Sequence, residues 1–326
     1  MITPLRLRHA VSVAEHASFR RAAATLRISQ PALTKSIQNL ESELGVKLFE
    51  RRRDGVIPTE FGKVVVEHAH DMVQVESEFL RRINLLAGLE TGSLRVALGP
   101  LPTAMSAYPA AGALLSKHPN LRISFQSTAW REVTQAVVDK KVDLGIAELS
   151  GAALDDSLQT EMVGQHRAHF CCRAGHPILR LRTIGLKHLL QYPWATTRLP
   201  PRHAAALPRD TGRAGYIDSF SGDFIPAVDV GTPTLLGQLV VQSEVLLLCT
   251  LTPLAQDLKT GGVVIVPTPK LDFRASYGFI YMKSRPLSSA TEAFMNEIRA
   301  QEQALVDHEA KLAGQFRSAS KQAAVY

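Results

Sequence analysis

The stretch from Ser18 to Arg53, SFRRAAATLRISQPALTKSIQNLESELGVKLFERRR, constrains this chain more than any other. It holds two short helical patterns separated only by Arg27 and Ile28, too few residues for a flexible linker. Ser18 suits the N-cap of the first helix, whose Ala22, Ala23 and Leu26 recur at helical spacing. Ser29 suits the N-cap of the second. Pro31 then falls in the first turn, where a missing N–H does little harm. Leu33, Ile37, Leu40 and Leu44 step by four, three and four and so share one buried stripe. Opposite them lie Pro31, Lys35 and Gln38, flanked by Ala32 and Thr34, with no acid before Glu41. Such a face can enter a DNA major groove without setting carboxylate against phosphate.

Ala22, Ala23, Leu26, Ser29, Gln30, Pro31, Ala32, Ile37, Leu40, Glu41, Leu44, Gly45, Leu48, Phe49 and Arg51 stand together in a long, specific pattern. The segment resembles the winged helix-turn-helix of LysR-type transcriptional regulators. The helix carrying Gln30, Pro31, Ala32, Thr34, Lys35 and Gln38 is then expected to contact DNA, with base edges read by Gln30, Pro31, Thr34 and Lys35. Ser29 and the wing arginines Arg51, Arg52 and Arg53 are expected on the sugar-phosphate backbone. The wing is the run LFERRRDGVIPT, two short strands about an Asp54-Gly55 turn.

Charge supports a basic module on a neutral body. Residues 1–63 hold 11 Lys or Arg against 6 Asp or Glu, a net +5, while the whole chain of 326 residues is +7. The remaining residues therefore carry only +2. A hydrophobic share of 45% and a charged share of 21% describe an ordinary soluble protein. Three cysteines, Cys171, Cys172 and Cys249, are too few for a disulfide framework, and the HFCC pair reads as small buried hydrophobes, a thiol sensor being the minor option. MITPLRLRHA lacks the apolar core of a signal peptide, and no run of about 18 apolar residues occurs, so a cytoplasmic location is expected.

After Thr59, Phe61, Val65, His68, Met72, Val75, Phe79, Arg82 and Leu86 alternate steps of four and three. That is a coiled-coil seam on a helix of about 28 residues, roughly 42 Å long. The corresponding helix of LysR-type proteins dimerises, and GLETG at 88–92 reads as the hinge that follows. From Leu94 the apolar runs LRVALG, LRISFQS, VDLGIAE, HFCC, VLLLCT, GVVIVP and YGFIYM are spaced by helix-sized segments, which fits a parallel sheet covered on both faces.

The expected architecture is an all-α winged helix-turn-helix DNA-binding domain (1–58) and a linker and dimerisation helix with its hinge (59–92). An α/β two-lobed effector domain, periplasmic-binding-protein-like by resemblance, follows over 93–303. Lobe I takes 94–163 and 271–303, lobe II takes 164–268, and 304–326 reads as a flexible, Ala-, Ser- and Lys-rich tail.

No catalytic constellation emerges. A Gly-rich phosphate loop, HExxH, paired CxxC and GxSxG are all missing from the sequence, so neither an enzyme nor a cofactor or metal is expected, and His166 and His169 read as surface or strand residues. Ligands in open α/β sheets bind beyond the carboxyl ends of strands. Three strand-to-helix turns answer that description, offering Pro102 and Thr103, Thr128 and Trp130, and Gly231 and Thr232. Thr196, Thr197, Arg198 and Arg202 would face them from the other lobe, a set suited to a small organic acid or related anion. Many LysR-type proteins carry Ser or Thr where Trp130 stands here. LPTA, the aromatic at 130 and YPW resemble a branch tied to sugar-derived or aromatic acids, and Trp130 could stack on such a ligand or roof a smaller pocket.

The resemblance implies as partners an inverted-repeat operator in double-stranded DNA, a small-molecule effector, further copies of the chain as a homodimer or homotetramer, and RNA polymerase, with no membrane. The alternative is a cytosolic solute-binding or enzymatic α/β protein whose basic N-terminus serves assembly. Salt-dependent DNA binding separates the two.

Overall fold

Three helices begin in the same way. Thr3, Ser18 and Ser29 hold extended backbone and accept a hydrogen bond at their side-chain oxygens from Arg6 N, Arg21 N and Ala32 N, at 3.4, 3.4 and 3.3 Å. They open α1 (Pro4–His16), α2 (Phe19–Leu26) and α3 (Gln30–Leu44). The computed structural model describes residues 2–52, 55–86, 93–231, 236–268 and 271–322, and the chain divides into two compact units, Met1–Leu89 and Glu90–Tyr326.

In the first unit the tight turn between α2 and α3 is made by Arg27, which ends α2 in the left-handed region at φ 54° with its N–H on the carbonyls of Ala23 and Ala24. Leu33, Ile37 and Leu40 are buried among Leu7, Ala10, Val13, Phe19 and Ala22, each such leucine contributing roughly 1.5–3 kcal/mol. The strands β1 (Phe49–Arg52) and β2 (Gly55–Pro58) pair antiparallel, Phe49 opposite Pro58. α4 (Glu60–Leu86) starts as Thr59 Oγ1 accepts from Gly62 N at 3.0 Å. Gly62 has to be glycine, since a Cβ there would lie 1.9 Å from the Leu48 carbonyl oxygen. Val65 and Ala69 pack on the three-helix core, while Phe61, Met72, Val75, Phe79 and Ile83 are exposed. The seam is thus split between its own domain and open surface.

The second unit runs β3 (Ser93–Leu98), α5 (Pro100–Ala104), α6 (Ala107–Lys117), β4 (Arg122–Ser127), α7 (Trp130–Val138), β5 (Leu144–Ala147), β6 (Leu158–Arg173), α8 (Leu186–Leu189), β7 (Trp194–Thr196) and α9 (Pro201–Ala204). It continues with β8 (Gly215–Ile217), β9 (Phe224–Pro226), β10 (Val228–Asp229), α10 (Leu236–Val241), β11 (Leu246–Cys249), α11 (Ala255–Thr260), β12 (Val263–Ile265), β13 (Phe273–Met282) and α12 (Ser289–Gln322). The main sheet has the order β4-β3-β5-β13-β6-β11-β7-β10, with β12 also on β6. Every apolar run from LRVALG to YGFIYM contributes to a strand.

The sheet is mixed, however, where a parallel one was expected. β3 pairs parallel with β4 and β5, and β7 pairs parallel with β10 and β11. The two halves are joined by the long antiparallel pair of β6 and β13, from Phe273 opposite Ala168 to Met282 opposite Leu158. An irregularity at Tyr277/Gly278 skips Val163 in the pairing, at the expected boundary between the lobes.

Alternation along the strands feeds separate cores on the two faces. In lobe I, Val96, Leu98 and Ile146 pack under Phe279, Phe294 and Ile298, whereas Ala97, Ala147 and Ile280 meet Trp130, Val133 and Val137. In lobe II the neighbours Cys171 and Cys172 point to opposite faces, Cys172 joining Phe170, Trp194 and Phe224, and Cys171 joining Ala195, Leu247 and Ile265. Burial pushes the Cys171 thiol well up and the Cys172 thiol up to about 12, the opposite of what a thiolate sensor needs. Burial likewise raises Cys249.

The residues from 304, expected as a flexible tail, continue α12 as far as Gln322. The helix leaves lobe I by Phe294, Met295 and Ile298 and reaches lobe II, where Leu312, Ala313 and Phe316 pack on Val263 and Ile265. Composition hid this because an Ala-rich sequence is also good helix, and the few apolar residues at 312–316 suffice once a partner surface exists.

Between its two footholds α12 places Glu302 and Glu309 on either side of His166 of β6. Glu302 Oε2 lies 2.7 Å from Nε2 and Glu309 Oε2 2.9 Å from Nδ1. Tyr277 O–H donates to the other oxygen of Glu302, and Thr252 O–H to Glu309 at 3.1 Å. Gly164 makes room, since a Cβ there would come within 2.5 Å of Glu302 Oε2. Burial alone would lower the imidazole pKa, but the hydrogen bonds and charges of Glu302 and Glu309 outweigh it and hold His166 up to about 9. A group raised on folding stabilises fully below its unfolded value near 6.5 and loses that contribution as pH rises through its folded value. Urea unfolding of the second unit should therefore show falling stability between pH 6.5 and 9.5 in the wild type. In His166→Gln, less stable throughout, that fall should be absent.

Candidate functional site

The outward face of α3 carries Gln30, Pro31, Ala32, Lys35 and Gln38 exposed, with Thr34 half-buried, and Ser29 is exposed at its start. Leu33, Ile37 and Leu40 hold the helix from behind, so this face is left largely open to solvent. At the far end Glu41 is buried. Its Oε1 accepts from Leu48 N at 2.9 Å and its Oε2 pairs with Lys47 at 2.7 Å, which ties α3 to the two residues leading into the first wing strand. His9 braces the middle of α3 through Ser36 at 2.8 Å, and burial with nearby Arg8 lowers the His9 pKa. Of the wing arginines, Arg52 is exposed on β1. Arg51 is on β1 too, its side chain outside the described residues, and Arg53 also lies outside them.

The second unit contains a cleft of roughly 860 Å³, part of it open to solvent, between its two lobes. Its floor is the crossing pair, with Ala168 of β6 and Ala275, Ser276 and Tyr277 of β13. Lobe I supplies Gly99 to Pro102, Trp130 and Glu148; lobe II supplies Thr196 to Pro200, Arg202, His203, Val230 and Leu248 to Thr250. Arg202 reaches across from α9. It donates to Glu148, to Ser150 Oγ at 3.4 Å and to Ser276 Oγ at 2.7 Å, and its Nε donates to His203 Nε2 at 3.3 Å. Burial and then the Arg202 charge lower the His203 pKa, which keeps the ring neutral at pH 7. A second cross-lobe pair joins Arg131 to the buried Asp223 by two bonds of 2.8 and 3.0 Å, with the guanidinium 4.3 Å above the Trp130 ring.

Pro102, Trp130, Thr196, Thr197, Arg198 and Arg202, six of the expected effector residues, meet in this cleft. Thr103 and Thr128 do not line it. Thr103 is buried beside it, its hydroxyl donating to the Gly99 carbonyl at 2.7 Å, and Thr128 donates to Glu132. Each hydroxyl closes its own turn, the use most often made of a Thr after a strand. Gly231 is exposed and next to the lining residue Val230 without lining the cleft itself, and Thr232 lies outside the described residues. Trp130 lines the cleft while largely buried, with Arg131 over its ring and Gly151 against its edge. Glu148, Ser276, Tyr277 and His203 had no local signal. Each sits in or beside a strand or short helix and becomes a site residue only when the lobes meet.

A helix-turn-helix with a bare polar face and a wing, joined to an α/β unit with an interlobe cleft, defines a DNA-binding regulator with a separate ligand-binding domain. Residues 5–63 match the bacterial regulatory helix-turn-helix protein, lysR family, and residues 87–303 the LysR substrate binding domain. The chain belongs to the LysR family of transcriptional regulators. It is 31% identical over 292 residues to the SDS degradation transcriptional activation protein of Pseudomonas sp. (strain ATCC 19151), covering 88% of this chain and 92% of that one. It is 28% identical over 309 residues to the HTH-type transcriptional regulator GbpR of Azospirillum brasilense, covering 91% and 86%. These relatives are regulators and not enzymes. The crystal structure of CbnR, a LysR family transcriptional regulator, shares the fold at 18% identity and a TM-score of 0.58, over 92% of this chain and 99% of that one. Full-length CbnR complexed with its target DNA matches at 19% identity and a TM-score of 0.59, over 92% and 100%. Among the described residues no helix is long and apolar enough to cross a membrane.

The placement of Thr103 has a measurable consequence. Thr103→Val removes a buried donor from the Gly99 carbonyl and should lower the stability of the second unit by about 1–2 kcal/mol, read from the urea midpoint at constant slope.

Proposed function

We propose that this LysR regulator reads an inverted-repeat operator in double-stranded DNA through α3 and its wing, and answers to a small organic acid held between the lobes of its second unit. Gln30, Pro31, Thr34 and Lys35 are the base-reading residues, Ala32 and Gln38 flank them, and Ser29 with Arg51, Arg52 and Arg53 takes the backbone. The carrying observation is the α3 face, exposed and acid-free along Gln30 to Gln38 while its reverse is fully buried. Net charge supports this, since +5 of the chain's +7 falls within residues 1–63. Its place of work is the cytoplasm, where the operator is.

For the second unit, Pro102, Trp130, Thr196, Thr197, Arg198 and Arg202 are the ligand contacts, joined by Glu148 and Ser276. A ligand touching both lobes exchanges for contacts of Arg202 and biases the lobe arrangement by its differential affinity. Copies of the chain associate along the exposed part of α4, as a dimer or a tetramer.

Two measurements test the reading. With DNA selected from a random pool, Lys35→Ala and Gln30→Ala should each weaken binding by about 1–3 kcal/mol in a gel-shift titration, with unchanged thermal melts. Equal affinity of wild type and both variants removes those residues from the readout. In sedimentation, Met72→Glu combined with Phe79→Glu should yield particles smaller than wild type, because two charges would enter an apolar seam. Wild-type mass for the double variant rules out assembly through α4.

A further inference from the structure

We infer that the cleft admits an elongated apolar molecule carrying at most one negative charge, and that Glu148 is the residue setting that limit. The inference rests on the cleft being the effector site and specifies the ligand's class.

The charges of the cleft are already matched. Among the described residues three guanidinium groups line it, and each faces a carboxylate of the chain: Arg198 with Asp229 at 2.7 Å, Arg274 with Asp272 at 2.9 Å, and Arg202 with Glu148. The first two pairs are half exposed, at side-chain exposures of 53% and 36%, and of 56% and 51%, so water screens them. Glu148 is different. Its side chain is 12% exposed, and it is held by Ser150 N and Ser150 Oγ, both at 2.9 Å, besides Arg202. It stands at the end of β5 on the inner wall, so a ligand at Arg202 meets this fixed carboxylate as well as the guanidinium.

The free neighbours of that spot are of another kind. Leu101, Pro102, Leu199, Leu248, Phe273 and Ala275 offer apolar surface along the cleft, and Thr196 and Thr197 offer uncharged polar groups. One acidic head can share Arg202 by taking the place of its bond to Ser276, while the body of the ligand covers the apolar wall. With the first head at Arg202, a second acidic group finds no unmatched guanidinium among the described lining residues, and it adds a further negative charge to the field of Glu148 and that head in a partly dehydrated space, where like charges repel more strongly than in water.

Three probes of one chain length and different charge decide the matter: 1-octanol, octanoate and octanedioate, titrated by calorimetry into the full-length protein and into Glu148→Gln. Octanoate should bind the wild type at least about tenfold more tightly than octanedioate, and Glu148→Gln should shrink that ratio by about tenfold or more while leaving 1-octanol little changed. Octanedioate binding the wild type as well as octanoate overturns the inference, as does a ratio unaltered in Glu148→Gln or no binding of octanoate. The wild-type comparison stands by itself if Glu148→Gln folds poorly. Ala275→Trp, which fills the floor, separates the two levels. Octanoate binding that survives Ala275→Trp means that the cleft is not the site. Binding that Ala275→Trp abolishes, with octanedioate preferred, keeps the site and sinks only the charge limit.

Discussion

The antiparallel pairing of β6 with β13 is the constraint on which the second unit depends. Two segments more than a hundred residues apart run alongside each other from Phe273–Ala168 to Met282–Leu158 and belong to both lobes at once. Each lobe then grows its own parallel strands outward from this pair, β5, β3 and β4 on one side and β11, β7 and β10 on the other. The cleft follows from that arrangement, since its floor is the stretch where the pair passes between lobes. The irregularity beside Tyr277 turns the strands there, and Gly164 keeps the backbone low enough for Glu302 to approach.

Beneath that floor lies a buried ionic cluster and above it a matched set of ion pairs. His166 between Glu302 and Glu309 fastens α12 to β6, so the helix straps both lobes from lobe I to its foothold at Leu312 and Phe316. Buried ion pairs add little net stability against an apolar alternative, but breaking one is costly because the orphaned charge stays buried. Such a cluster therefore serves geometry: it penalises any shift of α12 along the strand. Arg131–Asp223 and Arg202–Glu148 act likewise across the cleft, each holding a carboxylate of low exposure against an arginine from the opposite lobe. The lobes are thus joined by the chain's own charges, and a ligand has to work by exchange with them.

The first unit shows the opposite economy of means. The exposed face of α3 needs no contact from afar. Leu33, Ile37 and Leu40 bury one stripe, and the reverse of the helix is exposed as a geometric necessity. What tertiary packing adds is orientation, through Glu41 on the Leu48 amide and His9 on Ser36. Neither residue reads as functional by itself, although Glu41 belongs to the pattern shared with LysR-type proteins.

By itself the sequence determined whatever depends on neighbours within a turn or a strand: the caps at Ser18 and Ser29, the buried stripe of α3, the long helix α4 and the apolar runs that became strands. Those signals are local because capping bonds and side-chain periodicity involve residues a few positions apart. Only the tertiary structure decided the antiparallel crossing of β6 and β13, the ordered continuation of α12 beyond residue 304, and the charge balance of the cleft. Arg202 was legible as a basic residue near a turn, but its meeting with Glu148, 54 residues earlier, was not. Thr103 and Thr128 show the same limit, since a hydroxyl after a strand serves its own turn or a ligand equally well until the neighbours are in place, and here each bonds within its own turn. The physical reason is common to all of these. A long-range ion pair or strand pairing costs loop entropy that no local pattern records, and it is returned only by the packing of the whole unit.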